Sequence, residues 1–347
     1  MSNIICDKLG ILYPIIQGPM AWASNAQLAA AVSNAGGLGI MGIGFSPADI
    51  FEAEVKKAKK LTTAPFGLNI VTCLPGADKL LEITLREKVK VVEIETFPDY
   101  LHELPDYVAA LKSAGTVTIG KASTVAEARA YEAAGVEILS IKGSDGGGHI
   151  FGFTGTFTLI PQVVDAVSIP VVNSSGVADG RGIAASFMLG ASGVEIGSRF
   201  LVSEECPIHE NYKKAILAAG EGDTVLTGVT VGDSVRCLKN ELTDKLLKIE
   251  RECSHEEACE RIMDIGRGSL RIASNEGDMV NGSIVVGQNV GLLKRIKPAG
   301  EIVAAMIEEY TRLLANASSL LDLPAVAVHS LTSREPANTS EFAGVAG

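Results

Sequence analysis

Apolar positions along this chain follow two alternating rhythms. Short runs rich in β-branched residues recur at 14–17, 38–42, 66–70, 89–95, 116–120, 136–141, 169–173 and 193–197, most of them roughly 20 to 30 residues apart. Between them, segments such as 47–61, 125–134 and 181–189 carry apolar residues at the period of a helix. Alternating strand and helix predicts a parallel sheet, and eight repeats close naturally into an α/β fold of the (β/α)8 TIM barrel class. An open doubly wound sheet is the alternative architecture for the same alternation.

After residue 197 the pattern changes. Residues 203–283 are polar and helix-like, with 211–219, 235–252 and 255–265 as predicted helices and no strand rhythm, which reads as an inserted helical cap. Residues 299–315 then predict the last outer helix. The expected organisation is a barrel from 1–202 and 284–328, a cap subdomain at 203–283, and a flexible tail at 329–347, where large apolar residues are scarce.

Composition narrows the function classes. The chain has 347 residues, 47% hydrophobic and 20% charged, enough for one large domain or two. A formal net charge of -11 without a Lys/Arg cluster argues against nucleic acid and against a polybasic membrane surface, and favours a small-molecule or acyl-thioester partner. The six cysteines form no CxxC pair, so they read as reduced thiols and no metal is expected. No signal peptide and no long apolar segment stand out, so a cytoplasmic protein is expected. The oligomeric state is left open, and a homodimer is allowed.

Catalytic groups of such a barrel sit at the C-terminal strand ends, so the residues that follow each strand are the ones to read. The sixth strand is followed by SDGGGH at 144–149, the seventh by NSSGVADG at 173–180 and the eighth by GSRF at 197–200. Glycines there let main-chain N–H groups approach a ligand, which suits a phosphate-bearing cofactor. The plain alternative is tight turns with nothing bound. GxxxxGK[ST] is absent, which excludes a P-loop. His149 adds an imidazole that can give or take a proton near neutral pH.

Taken together, QGPMAW at 17–22, NAGGLGI at 34–40, PFGLNI at 65–70, GGGHI at 146–150, SGVADGRG at 175–182, GASGVEIGSRF at 190–200 and NGSIVVGQ at 281–288 resemble one group of FMN-dependent flavoproteins. That group holds nitronate monooxygenases (2-nitropropane dioxygenases), FabK-type enoyl-acyl-carrier-protein reductases and related NADH:quinone reductases. The resemblance implies FMN over the barrel mouth. It places Pro19, Met20 and Ala21 near the ring with Asn69 beside it, and Gly147, Gly148, Gly176, Gly197 and Ser198 around the phosphate. It brings Gln288 toward the ring on the returning segment, matches His149 to the family's catalytic histidine, and sets Lys121 near the flavin.

Some positions depart from the family pattern. Glu93 and Glu95 stand where FabK-type reductases carry a small glycine-containing segment, Lys142 replaces a common acidic residue, and Ser174-Ser175 replaces a small-residue and glycine pair. Strand alternation puts Glu93 and Glu95 on one face. There Glu95 could pair with Lys121 as an ion pair or proton relay, the alternative being a solvated strand end whose Glu95→Gln variant turns over normally. The resemblance leaves several reactions open. The first is NAD(P)H-dependent reduction of an enoyl thioester or enone, with NADH or NADPH as a transient co-substrate. The others are oxidation of alkyl nitronates with O2, quinone reduction, and a flavin-holding barrel without turnover. Some FabK-type relatives also need a monovalent cation near the cap.

Overall fold

The protein was analysed as a computed structural model that describes residues 3–316; the expected tail at 329–347 lies outside the described residues. Eight strands form the centre: β1 (Ile15–Gln17), β2 (Leu38–Met41), β3 (Phe66–Val71), β4 (Val91–Glu95), β5 (Val117–Ala122), β6 (Ile138–Ile141), β8 (Val171–Asn173) and β9 (Gly193–Ile196). They lie in the order β1-β2-β3-β4-β5-β6-β8-β9, and β1 pairs in parallel with both β2 and β9. Closure on β1 excludes the open doubly wound sheet and leaves the (β/α)8 barrel. Each expected strand run overlaps one of these strands, with β3 and β5 running one and two residues past the expected ends.

The strands are apolar on both faces because both faces are covered. Ile16, Leu38, Ile40, Val91, Ile119, Ile138 and Val172 fill the barrel interior, which Ile5 and Leu9 of the helix Ile4–Leu9 plug from below. The alternate positions, among them Met41, Leu68, Ile94, Leu139 and Ile141, pack on the outer helices through Phe51, Val55, Leu111 and Tyr131. The helix Ala299–Ala315 closes the ring against the helices Gly180–Met188 and Ala26–Asn34.

The segment after β9 is more than helices, which corrects the expected all-helical cap. β10 (Thr224–Thr227) and β11 (Val235–Leu238) form a three-stranded antiparallel sheet with β7 (Gly148–His149), in the order β10-β11-β7. The predicted helix at 235–252 therefore splits in two. Asn240 starts the helix Glu241–Glu252 through a capping box with Thr243, while Val235–Leu238 pair with β10 and the first two of them also with β7. Cross-strand pairing satisfies the main chain at Gly148 and His149, and that demand outweighs the local helical pattern.

Candidate active site

The SDGGGH loop is held from several directions, so it is no loose turn. Arg236 of β11 donates from Nε and Nη2 to the Ser144 carbonyl at 3.2 and 2.9 Å. Asp145 Oδ1 accepts from the Thr156 amide and hydroxyl at 3.0 and 2.5 Å, and its carbonyl accepts from the Gln288 N–H at 2.9 Å. Gly148 has φ +80, a conformation that side chains rarely adopt. A Cβ on Gly147 would sit 2.6 Å from the Val286 carbonyl carbon and 2.7 Å from the Gly287 nitrogen. The glycines thus let the loop bend and pack against the returning segment at 285–287.

His149 emerges from β7 at the rim. Its Nε2 faces Asp233 Oδ1 at 3.3 Å, and its ring stacks on Phe151 and meets the edge of Phe97 at centroid distances of 6.1 and 6.4 Å. The hydrogen bond from His149 holds the Asp233 carboxyl below the usual carboxylate range, against a smaller opposing effect of burial. Both groups are exposed. Asp233 comes from the cap, in a glycine-flanked loop with no sequence signal that ties it to residue 149.

The floor of the mouth is a polar layer stacked on the apolar barrel interior. Lys121 Nζ lies 3.2 Å from Glu93 Oε1, donates to Ser174 Oγ at 2.9 Å, and is in contact with Glu195 Oε1. Ser140 and Ser174 also donate to Glu195, at 2.6 and 2.9 Å. Glu93 is fully buried, and burial together with the charge of Glu195 pushes it well above the carboxylate range. Burial opposes the charge on Glu195 as well, yet Lys121 and its hydrogen bonds bring it down to about 2. Lys121 stays protonated, because Glu195 and Glu93 outweigh its burial.

These contacts replace the expected pairing of Glu95 with Lys121. The lysine turns down into the barrel, where two carboxylates lie one layer deeper, and Glu95 remains as a half-buried lining residue. Glu195 was missed in the sequence because it interrupts an apolar run. The signal was its parity with Gly193 and Gly197, which puts it on the inward face.

Above this floor opens a cavity of about 800 Å3. It is lined by Pro19, Met20, Ala21, Asn69, Glu93, Glu95, Lys121, Lys142, Gly147, Gly148, His149, Gly176, Gly197 and Ser198, so these positions come together. The Met20 main chain is pinned by Ser24, which bonds its N–H and carbonyl at 2.6 and 3.0 Å. Asn69 Oδ1 accepts from the Gly44 N–H at 2.9 Å, which leaves its amide nitrogen available to the cavity. Gln288 does not join the lining: its side chain is exposed, and Gly287 and Asn289 line the mouth in its place. Asn289 donates to the Val177 carbonyl at 2.9 Å and keeps a buried Oδ1 without a partner among the described residues.

The strand tips present bare donors. Among the described residues, the main-chain N–H groups of Gly147, Gly176, Val177, Gly197 and Ser198 donate to no protein acceptor. The Asn173 side chain shapes this edge by accepting from the Ser175 N–H at 3.0 Å, and Ser198 Oγ accepts from the Gly287 N–H at 2.9 Å. No group of three or more His, Cys, Asp or Glu side chains among the described residues is arranged to hold a metal ion. No described helix is long and apolar enough to cross a membrane.

Comparison with known proteins agrees with this geometry. The chain matches the family model described as nitronate monooxygenase over residues 2–309. It is 36% identical to a probable nitronate monooxygenase of Staphylococcus haemolyticus, over 72% of this chain and 81% of that protein. It is also 36% identical to the (3aS,4S,5R,7aS)-5-hydroxy-7a-methyl-1-oxo-octahydro-1H-indene-4-carboxyl-CoA dehydrogenase of Mycobacterium tuberculosis, over 70% and 67%. Among solved structures it resembles FabK from Thermotoga maritima, with 37% identity, a TM-score of 0.86 and coverage of 92% of this chain and 99% of the other. Nitroalkane oxidase from Streptomyces ansochromogenes aligns at 28% identity and TM-score 0.78, covering 90% and 99%. With a closed barrel, a bare-donor rim and a histidine at the mouth, this chain belongs to the nitronate monooxygenase family of flavin-dependent oxidoreductases.

Proposed function

We propose that the protein binds FMN and uses NADH or NADPH to reduce the activated C=C bond of an enoyl thioester or enone. The observation that carries this reading is the reach of the cavity. From the polar floor it continues beneath the cap helices, where Leu242, Leu246, Ile262, Met263 and Leu270 line it. An apolar gallery of that length suits an acyl chain better than a small nitroalkane. The similarity to FabK and to a dehydrogenase named for a carboxyl-CoA substrate supports the same class.

The residues fit FMN. A volume of about 800 Å3 falls within the usual range for cofactor sites. Gly147, Gly148, Gly176, Gly197 and Ser198 would hold the phosphate through main-chain donors, while Pro19, Met20, Ala21 and Asn69 would line the ring. When bound, FMN supplies hydride transfer. His149 orients the substrate carbonyl or delivers a proton from the rim, with Asp233 and Phe151 fixing its ring. The cap sheet positions β7 through the pairing of β11 with it.

Anaerobic stopped-flow measurement tests the proposal. Rapid bleaching of the bound flavin by NADH or NADPH, then reoxidation by an enoyl thioester, is the expected result. Bleaching by an alkyl nitronate and not by a pyridine nucleotide would overturn it in favour of nitronate oxidation with O2, the reading favoured by the family's name and the relatives that share it. Reoxidation by quinone alone would assign quinone reduction.

A further inference from the structure

Two lysines rise into the mouth from neighbouring strands, and their surroundings differ. Lys121 is fully engaged by Glu93, Glu195, Ser140 and Ser174. Lys142, just past β6, lines the same cavity, but its side chain makes no hydrogen bond or ion pair with any described residue. Its chain runs beneath the SDGGGH loop. A Cβ on Gly146 would lie 3.0 Å from Lys142 Cε, and one on Gly148 would lie 3.6 Å from Nζ. The amine therefore ends beside Gly148, one residue before His149.

The charged groups around Lys142 are Lys121 on β5, Glu93 and Glu95 on β4, Glu195 on β9, and Asp145 and His149 in its own loop. None neutralises it by contact. Glu195 and Glu93 face Lys121, Asp145 is tied to Thr156, and Glu95 raises Lys142 through space without forming an ion pair with it. Burial first, and then the positive charge of Lys121, bring Lys142 down to about 8. An amine so placed gains its proton readily when negative charge arrives next to it.

We infer that Lys142 is the charge-compensating residue of the mouth, taking up a proton when the bound flavin ring becomes negative on reduction. Lys121 cannot act in this way, since it is already charged and paired. The inference rests on the FMN reading above. A hydride donor delivers two electrons and one proton to the ring, which gains one negative charge. A second proton, from water, bonds to the lone pair of Lys142 Nζ, and the net charge of the site is conserved.

The test is spectroelectrochemical titration of the full-length, FMN-loaded protein between about pH 7 and 10. One proton per two electrons gives a midpoint potential that falls by about 30 mV per tenfold drop in proton activity. In the wild type this slope should double above about pH 8, where Lys142 starts out neutral. Lys142→Gln should keep the single slope throughout. Lys142→Arg, charged at every pH, should also keep it, at a higher potential than Lys142→Gln. Superposable curves for wild type and Lys142→Gln overturn the inference while leaving FMN in place. A colourless protein that takes up no FMN overturns both readings, and the two failures are told apart by colour alone.

Discussion

The floor and the rim of the mouth solve different problems with the same kinds of group. At the floor, one lysine, two glutamates and two serines are buried together, and every charge is matched within the layer. At the rim, a histidine on a two-residue strand that the barrel lends to the cap faces an aspartate of a cap loop in the open. A buried pair is fixed by the cost of leaving either partner alone, whereas an exposed pair remains adjustable. The floor therefore belongs to the scaffold and sets a constant field, and the rim is where chemistry can vary with substrate and pH.

The largest effect should come from breaking the floor. Lys121→Met leaves Glu195 without its counter-charge and should cost about 3–5 kcal/mol in urea unfolding. Glu93→Gln should cost under about 1 kcal/mol, because burial and the charge of Glu195 already disfavour the charged form of its carboxyl. Equal losses for the two variants would mean that Glu93 is ionised and that the layer is not matched as described.

Acid sharpens the same contrast. Glu195 lies at about 2 in the folded protein and in the ordinary carboxylate range when unfolded. The unfolded chain then binds more protons between those values, so stability is intact above the unfolded value and is lost as pH falls toward 2. The loss should be on the order of 3 kcal/mol. Glu93, displaced upward, contributes in the opposite sense: its proton is favourable at low pH, and it destabilises the fold as pH rises above its unfolded value. Unfolding curves from about pH 5 to 2 should show a shallower acid limb in Glu195→Gln.

Much of the barrel was legible because its strands are apolar on both faces and recur at a steady spacing, a pattern that helices between them reinforce. The cap sheet was not. TVLT and VRCL are four-residue strands in a polar stretch, and their third partner is two residues of a glycine loop. Pairing across 86 positions, as between His149 and Val235, leaves no local mark. At the site, GGGH, QGPM and PFGLNI pointed to positions that do converge. What failed was neighbour-level detail: Glu95 was weighed as a partner of Lys121 or as a solvated strand end, whereas Glu93 and Glu195 hold the lysine, and Gln288 was aimed inward where the 3-10 turn at Gln288–Leu292 sends Asn289. Which of two adjacent residues faces a cavity depends on turn geometry that periodicity does not encode in loops.

Between floor and rim lies the glycine loop. Gly147→Ala would drive a Cβ into the main chain at Val286 and Gly287, which cannot yield as a side chain could. A cost of about 1–3 kcal/mol follows from the forced shift, and FMN retention on gel filtration should fall with it. If affinity for FMN survives while stability drops, the loop braces the cap without shaping the cofactor site.

The smallest change in stability, and the most informative about the rim, is expected from Asp233→Asn. Its partner is exposed, so unfolding should move by under about 1 kcal/mol. Catalysis is a different matter. Asp233 fixes the His149 ring through its contact with Nε2, and the same hydrogen bond holds the carboxyl in its charged form. Asp233→Asn should therefore lower kcat several-fold, by less than His149→Gln does. The same measurement on Glu95→Gln should leave kcat in place, since Glu95 has no contact with the rim pair. A kcat unchanged by Asp233→Asn would mean that ring stacking on Phe151 alone sets the histidine, and the cap's share in catalysis would reduce to shape.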